Sequence, residues 1–224
     1  MIQVCHRILS FREVAAWAEK GVSVRLLLRH SMRRSLTEGT LDPGLTPEGT
    51  EYALACGKLL AGLKDLTVGS SPRLRCHETA QCLIRGGDLP VVEPVRNCAE
   101  IGDDAMFLSR ETLEELLCSD HVKETLETYY ATGSAPGMKP LCCFAEDLTS
   151  FLTETDFGKK NVLFLTHDIL CVALLLYWKV YPFRQDDWMG YIQGVCFWQE
   201  SEKVWNIAYV VPDASERAKS ILFV

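Results

Sequence analysis

The sequence predicts an α/β protein: a three-layer α/β/α sandwich with a central, mostly parallel sheet and a small helical cap inserted into it. Three observations lead there. Apolar runs rich in β-formers at 22–29, 66–69 and 90–95 are separated by stretches of helical spacing, a β-α-β-α-β order. A further apolar run at 161–166 leads directly into an apolar helix. The 224 residues suffice for one sizeable core, and the whole chain reads as a single unit, with 97–137 as the cap and 212–224 as a tail.

The elements follow in order. Residues 9–20 read as a helix with Ser10 as N-cap and Gly21 as its stop. Residues 22–29 form the first strand, and 31–45 a loop that turns at Asp42-Pro43-Gly44. Thr46-Pro47-Glu48 opens a helix with an N-cap, a proline at the first helical position and an acid at the positive helix end. Tyr52, Cys56, Leu59, Leu60 and Leu63 give it one apolar stripe. The strand 66–69 ends in Ser70-Ser71-Pro72, and the next helix stops at Gly86-Gly87. A strand is expected over 90–95. Residues 97–137 are helical and charged, with helices at 112–117 and 121–130, closed by the loop 132–137. A helix over 140–153, the strand 161–166 and a helix over 168–180 return to the core. Residues 194–199 and 204–211 alternate as an antiparallel pair expected at the sheet edge.

Composition narrows the function. The net charge of −7 opposes a general nucleic-acid or anionic-membrane binder, which needs a basic face. The first nine residues carry no apolar stretch of signal type, and no segment has the length of a membrane span, so a cytoplasmic location is expected. The ten cysteines are scattered without C-x-x-C, and Cys56, Cys82, Cys171 and Cys196 sit in apolar segments, so reduced thiols are expected. The adjacent pair Cys142-Cys143 has no role in this reading. Cys76 and Cys82 lack the spacing to an arginine that a cysteine-phosphatase loop requires, and His77 has Gln81 four positions on, so the two-histidine zinc spacing is absent.

Two strands end in a histidine, His30 and His167. In open α/β sheets ligands bind beyond the carboxyl ends of the strands. Arg29 precedes the first histidine, and Arg75 opens the helix after Ser70-Ser71-Pro72. Phosphoryl transfer needs this combination. Guanidinium groups match the charge on the phosphoryl oxygens with paired donors. A neutral imidazole is a competent nucleophile, and neighbouring arginines disfavour its protonation. His30 is therefore the expected nucleophile, Arg29 and Arg75 the phosphate holders, and His167 a donor to the phosphoryl oxygens. A carboxylic acid must then protonate the leaving oxygen.

Arg29-His30, Leu45-Thr46-Pro47-Glu48-Gly49, Ser70-Ser71-Pro72-Arg73-Leu74-Arg75 with Glu78-Thr79-Ala80, and Thr166-His167-Asp168 resemble, in order, the motifs of the histidine phosphatase superfamily, which includes phosphoglycerate mutases and histidine acid phosphatases. The resemblance implies a phosphohistidine on His30, phosphate binding by Arg29, Arg75 and His167, and no metal or other cofactor. It offers two proton donors: Glu100, in the mid-chain position of the family's smaller branch, and Asp168, directly after the second histidine as in the acid-phosphatase branch. Arg33 matches a further phosphate-binding arginine of that second branch. Ser31 stands where the family usually has glycine; its hydroxyl is either an extra donor or a mark of weakened catalysis. The asparagine of the mutases is replaced within Met32-Arg33-Arg34-Ser35, against a phosphoglycerate mutase. The expected function is a metal-independent phosphatase acting on a small phosphomonoester. The alternatives are a catalytically weak phosphate-binding regulatory module and a mutase-type phosphotransferase. The expected partner is a small phosphorylated substrate, with neither nucleic acid nor membrane; a second copy of the chain, as a homodimer, is a further candidate.

Overall fold

The structure, a computed structural model, describes the chain except residues 36–41, 92, 118, 120, 185–186, 202–203 and 214–224. One sheet carries the fold. Its strands are β1 (Ile2–Val4), β2 (Leu9–Ser10), β3 (Ser23–Arg29), β4 (Leu66–Ser70), β5 (Arg96–Asn97), β6 (Asn161–Thr166), β7 (Gly194–Ser201) and β8 (Val204–Val211). They lie in the order β1-β8-β7-β3-β6-β4-β5, with β2 also on β8. The strand β7 runs against both its neighbours, and every other pairing is parallel.

Helices α1 (Phe11–Glu19), α2 (Pro47–Lys58) and α3 (Leu74–Gly87) cover one face; α6 (Leu141–Glu154) and α7 (Asp168–Tyr177) cover the other. Period-two alternation in β3 sends Val24, Leu26 and Leu28 to the first core and Leu27 to the second. Helices α4 (Arg110–Leu117) and α5 (Val122–Thr132) join the second core through Leu113 and Tyr129. This is the three-layer sandwich that the sequence predicts.

Several local signals act as expected. Ser10 caps α1 in a reciprocal box with Glu13, and Thr46 caps α2 with Pro47 at its start. Four details differ. The strand expected over 90–95 is absent among its described residues; pairing with β4 starts at Arg96, because Pro90 and Pro94 have no N–H for a ladder. Gly86 and Gly87 lie inside α3, which ends at Asp88 in the left-handed conformation (φ 47°). Their role is packing: a Cβ on Gly86 would collide with the Leu54 carbonyl, and one on Gly87 with that of Gly57. The β7–β8 hairpin is interior, because β1 and β2 pair onto β8 and β3 flanks β7. The last helix ends at Tyr177, short of residue 180. Of the expected tail, 214–224 lie outside the described residues, as do 36–41 of the loop after His30.

Among the described residues no helix is long and apolar enough to cross a membrane. The nine described cysteines are all free.

Candidate active site

Parallel register brings the two histidines together. Arg29 pairs with Thr166 and Ser70 with Leu165, so β3, β4 and β6 end level with one another. The His30 N–H donates to the Thr166 carbonyl (2.9 Å) and the Ser71 N–H to that of Leu165 (2.8 Å), which extends the ladder into the site. The His30 and His167 rings then meet edge to face, their centres 5.5 Å apart.

A cleft of about 380 Å³ opens there. Of the residues expected in a phosphate site, Arg29, His30, Arg33, Arg75, His167 and Asp168 line it. Glu100 does not. It is exposed in a 3-10 turn (Ala99–Ile101), because the next residue, Ile101, is buried and its carbonyl accepts the Thr166 hydroxyl (2.7 Å). The acid that this segment sends into the cleft is Asp103.

Hydrogen bonds fix both tautomers. His30 Nδ1–H donates to the Ser31 carbonyl (2.7 Å), since a carbonyl can only accept; Nε2 therefore carries the lone pair. On His167, Nδ1 accepts from the Arg75 guanidinium (3.1 Å), which can only donate, and Nε2–H donates to the Ser71 hydroxyl (2.9 Å). Burial, then His167, Arg29 and Arg75, push the His30 pKa well below its usual value; burial and Arg75 do the same to His167. Both rings are neutral near pH 7.

The cations are held by carboxylates. Arg29 pairs with Asp168 (3.2 Å), donates to the Met189 carbonyl and lies over the Tyr191 ring (4.4 Å to its centre). Asp103 accepts from Arg73 at 2.9 Å on each oxygen and from Arg75 at 3.3 Å. Asp42 accepts the Leu74 N–H at the start of α3 and faces Arg75 at 3.5 Å. Arg33 donates to the Arg34 carbonyl (3.0 Å) and feels the Asp168 charge without a close ion pair to any carboxylate among the described residues. Burial would raise the Asp168 pKa, but Arg29 and the Trp188 indole N–H (2.9 Å) outweigh it and hold the carboxyl at about 2. Cys76, buried beside His167, is pushed up to about 12 and stays a thiol.

The loop after His30 is tied down from two sides. The Ser31 N–H donates to the Thr79 hydroxyl (3.0 Å), which in turn donates to the Arg75 carbonyl (2.7 Å). The Ser31 hydroxyl donates to the Gly49 carbonyl (2.7 Å), so it anchors the loop to α2. Ser31 keeps a negative φ and has no need of glycine's freedom. Glu78 accepts the Leu45 N–H (2.6 Å) and holds the other end of the loop.

Sequence reasoning missed Asp103, Asp42, Tyr191 and the contact of Trp188 with Asp168. Arg73 appears there only inside a motif. A signal existed for Asp103 alone: it lies three positions after Glu100, in the segment expected to carry an acid.

The profile described as Histidine phosphatase superfamily (branch 1) matches residues 26–193. No curated protein sequence matches the chain. Among solved structures, Bacillus stearothermophilus YhfR has a TM-score of 0.59 at 17% identity, covering 87% of this chain and 98% of that one. A phosphoglycerate mutase from Bacillus anthracis has a TM-score of 0.57 at 18% identity, covering 89% and 96%. The mycobacterial glucosyl-3-phosphoglycerate phosphatase has a TM-score of 0.55 at 18% identity, covering 84% and 98%. At these identities the likeness is one of fold. The profile, which spans three quarters of the chain and the carboxyl ends of β3, β4 and β6, establishes that this protein belongs to the histidine phosphatase superfamily, branch 1.

Proposed function

We propose that the chain is a metal-independent phosphatase that hydrolyses a phosphomonoester through a phosphohistidine on His30. The observation that carries this reading is the tautomer of His30: Nδ1–H is spent on the Ser31 carbonyl, leaving the Nε2 lone pair in a cleft lined by Arg29, Arg33, Arg75 and His167.

In this reading the phosphoryl group enters between Arg29 and Arg75 as its monoanion, replacing their carboxylate partners as the main anion, and its remaining proton passes to Asp168, which leaves the dianion. His30 Nε2 attacks phosphorus; the N–P bond forms as the ester P–O bond breaks. The positive charge left on the ring is shared with the Ser31 carbonyl through Nδ1–H. The leaving oxygen takes a proton from Asp168. In the free site Asp168 is ionised, so substrate must bring its proton in. A dianion on Arg29 weakens that arginine's hold on the carboxylate and raises its proton affinity. Water then attacks phosphorus, gives a proton to Asp168, and the N–P bond breaks.

The test is base-quenched turnover of an aryl phosphate labelled in its phosphoryl group. Acid-labile label on the peptide containing His30 is expected, with turnover unchanged by a chelator. His30→Ala should lose both label and turnover while keeping its thermal unfolding. Full turnover in that variant would overturn the mechanism. A second reading, phosphate binding without turnover, is favoured by the carboxylate partners already held by Arg29, Arg73 and Arg75. Saturable phosphate binding with neither label nor product would select it.

A further inference from the structure

Two consecutive residues between α7 and β7 hold both halves of the Arg29–Asp168 pair. The Met189 carbonyl accepts from Arg29, and the Trp188 indole N–H donates to Asp168 Oδ2 (2.9 Å). The indole is itself placed by two rings, Tyr130 of α5 (centres 6.0 Å apart) and Phe183 (6.3 Å). The Tyr130 hydroxyl donates to the Ile169 carbonyl (3.0 Å), so the cap is tied to the same turn of α7 that carries Asp168.

The two oxygens of Asp168 are loaded unequally. A carboxylate oxygen offers two lone pairs. Oδ2 accepts from Arg29 (3.2 Å) and from Trp188, so both of its lone pairs are taken. Oδ1 accepts the Ile169 N–H (3.0 Å) and keeps one lone pair open among the described residues. A proton arriving on Oδ2 would have to displace a donor; a proton arriving on Oδ1 displaces none.

We propose that Trp188 is a positioning residue for the proton donor: together with Arg29 it fills Oδ2 and confines the transferable proton to Oδ1. The role rests on the phosphatase reading above, in which Asp168 is the acid. The phosphoryl proton passes to Oδ1. The Oδ1–H bond then breaks as the leaving oxygen takes the proton, and the electron pair stays on a carboxylate whose other oxygen is held by two donors. In the second half of the reaction the proton of the attacking water returns to Oδ1. Without the indole N–H, a lone pair of Oδ2 opens toward the ring at position 188, which does not line the cleft, and the proton divides between the two oxygens.

The test compares two phosphate esters on the full-length chain and its variants. An alkyl phosphate needs a proton on its leaving oxygen; dinitrophenyl phosphate, whose leaving phenolate is already stable, does not. Trp188→Phe removes the N–H and keeps a ring. Replacing Trp188 with benzothienylalanine also keeps the bicyclic shape, with sulfur in place of N–H. Each should lower kcat for the alkyl ester at least roughly tenfold more than for the dinitrophenyl ester, the worth of one hydrogen bond to a charged group. Asp168→Asn should show the same selectivity more strongly. Equal losses on the two esters, or none, in the benzothienylalanine variant while Asp168→Asn stays selective would overturn the positioning role and leave Asp168 as the acid. Equal losses in Asp168→Asn would overturn the acid and the positioning role together.

Discussion

Arg29, the last residue of β3, and Asp168, the first of α7, form an ion pair at 3.2 Å across the ends of two neighbouring strands. Against burial, which raises it, the pair and the Trp188 indole N–H together lower the Asp168 pKa from the usual 3.8 to about 2. The native state therefore binds this proton less tightly than the unfolded chain does. The resulting stabilisation, about 2 kcal/mol, is complete above about pH 4 to 5 and lost as pH falls toward 2. Asp168→Asn should lack that dependence. Urea unfolding at pH 5 and pH 2.5 should show the native chain losing about 2 kcal/mol more than the variant; equal losses would show that the pair contributes nothing.

The pH–rate profile should report His30. Its pKa lies well below 6.5 because of burial, His167, Arg29 and Arg75, so kcat/KM should stay level as pH falls through 6.5 and decline only below it. Arg75→Gln removes one of those cations. It should lower kcat/KM by roughly 10²–10³-fold and move the acid limb to higher pH. An acid limb that stays in place would mean that Arg75 does not act on His30 electrostatically.

Asp103 competes with any anion for Arg75 and Arg73. Neutralising it in Asp103→Asn raises the positive potential of the cleft by about 1 kcal/mol per unit of bound negative charge. Inhibition by inorganic phosphate should tighten at least roughly fivefold. Weaker inhibition would make Asp103 an aligner of the arginines whose loss outweighs the charge it removes.

Ser31 and Gly49 separate a tether from a close approach. Ser31→Ala removes the hydroxyl bond to the Gly49 carbonyl and should cost about 1 kcal/mol with kcat nearly unchanged. Gly49→Ala places a Cβ against the Met32 carbonyl, where backbone must move. It should cost about 1–3 kcal/mol and lower kcat, because the displaced loop carries His30. Thermal unfolding and initial rates measured on both variants check the pair; a large fall in kcat for Ser31→Ala alone would place the hydroxyl in the chemistry.

Much of the cleft was legible before the fold was seen. Ser10, Thr46 and Pro47 mark helix starts within a few residues of where they act, and the runs ending at Arg29 and Thr166 announce buried strands. Strands that are parallel neighbours end at one sheet edge, so His30 and His167 could be placed together from pattern alone. The short strands β1 and β2 were not legible: two or three residues carry no periodicity, and they are strands only because β8 offers an unpaired edge. The interior glycines of α3 read as a stop because the packing of α2 against them leaves no local trace.

Sequence alone determined the layered α/β architecture, the two strand-end histidines and the arginines beside them, since caps, periodicity and strand termini are properties of short stretches of chain. Tertiary structure alone decided which carboxylate serves which cation: Asp168 on Arg29, Asp103 on Arg73 and Arg75, and Glu100 turned outward. Those pairings depend on strand register and on the direction of a single 3-10 turn anchored by Thr166, and no nearby residue encodes either.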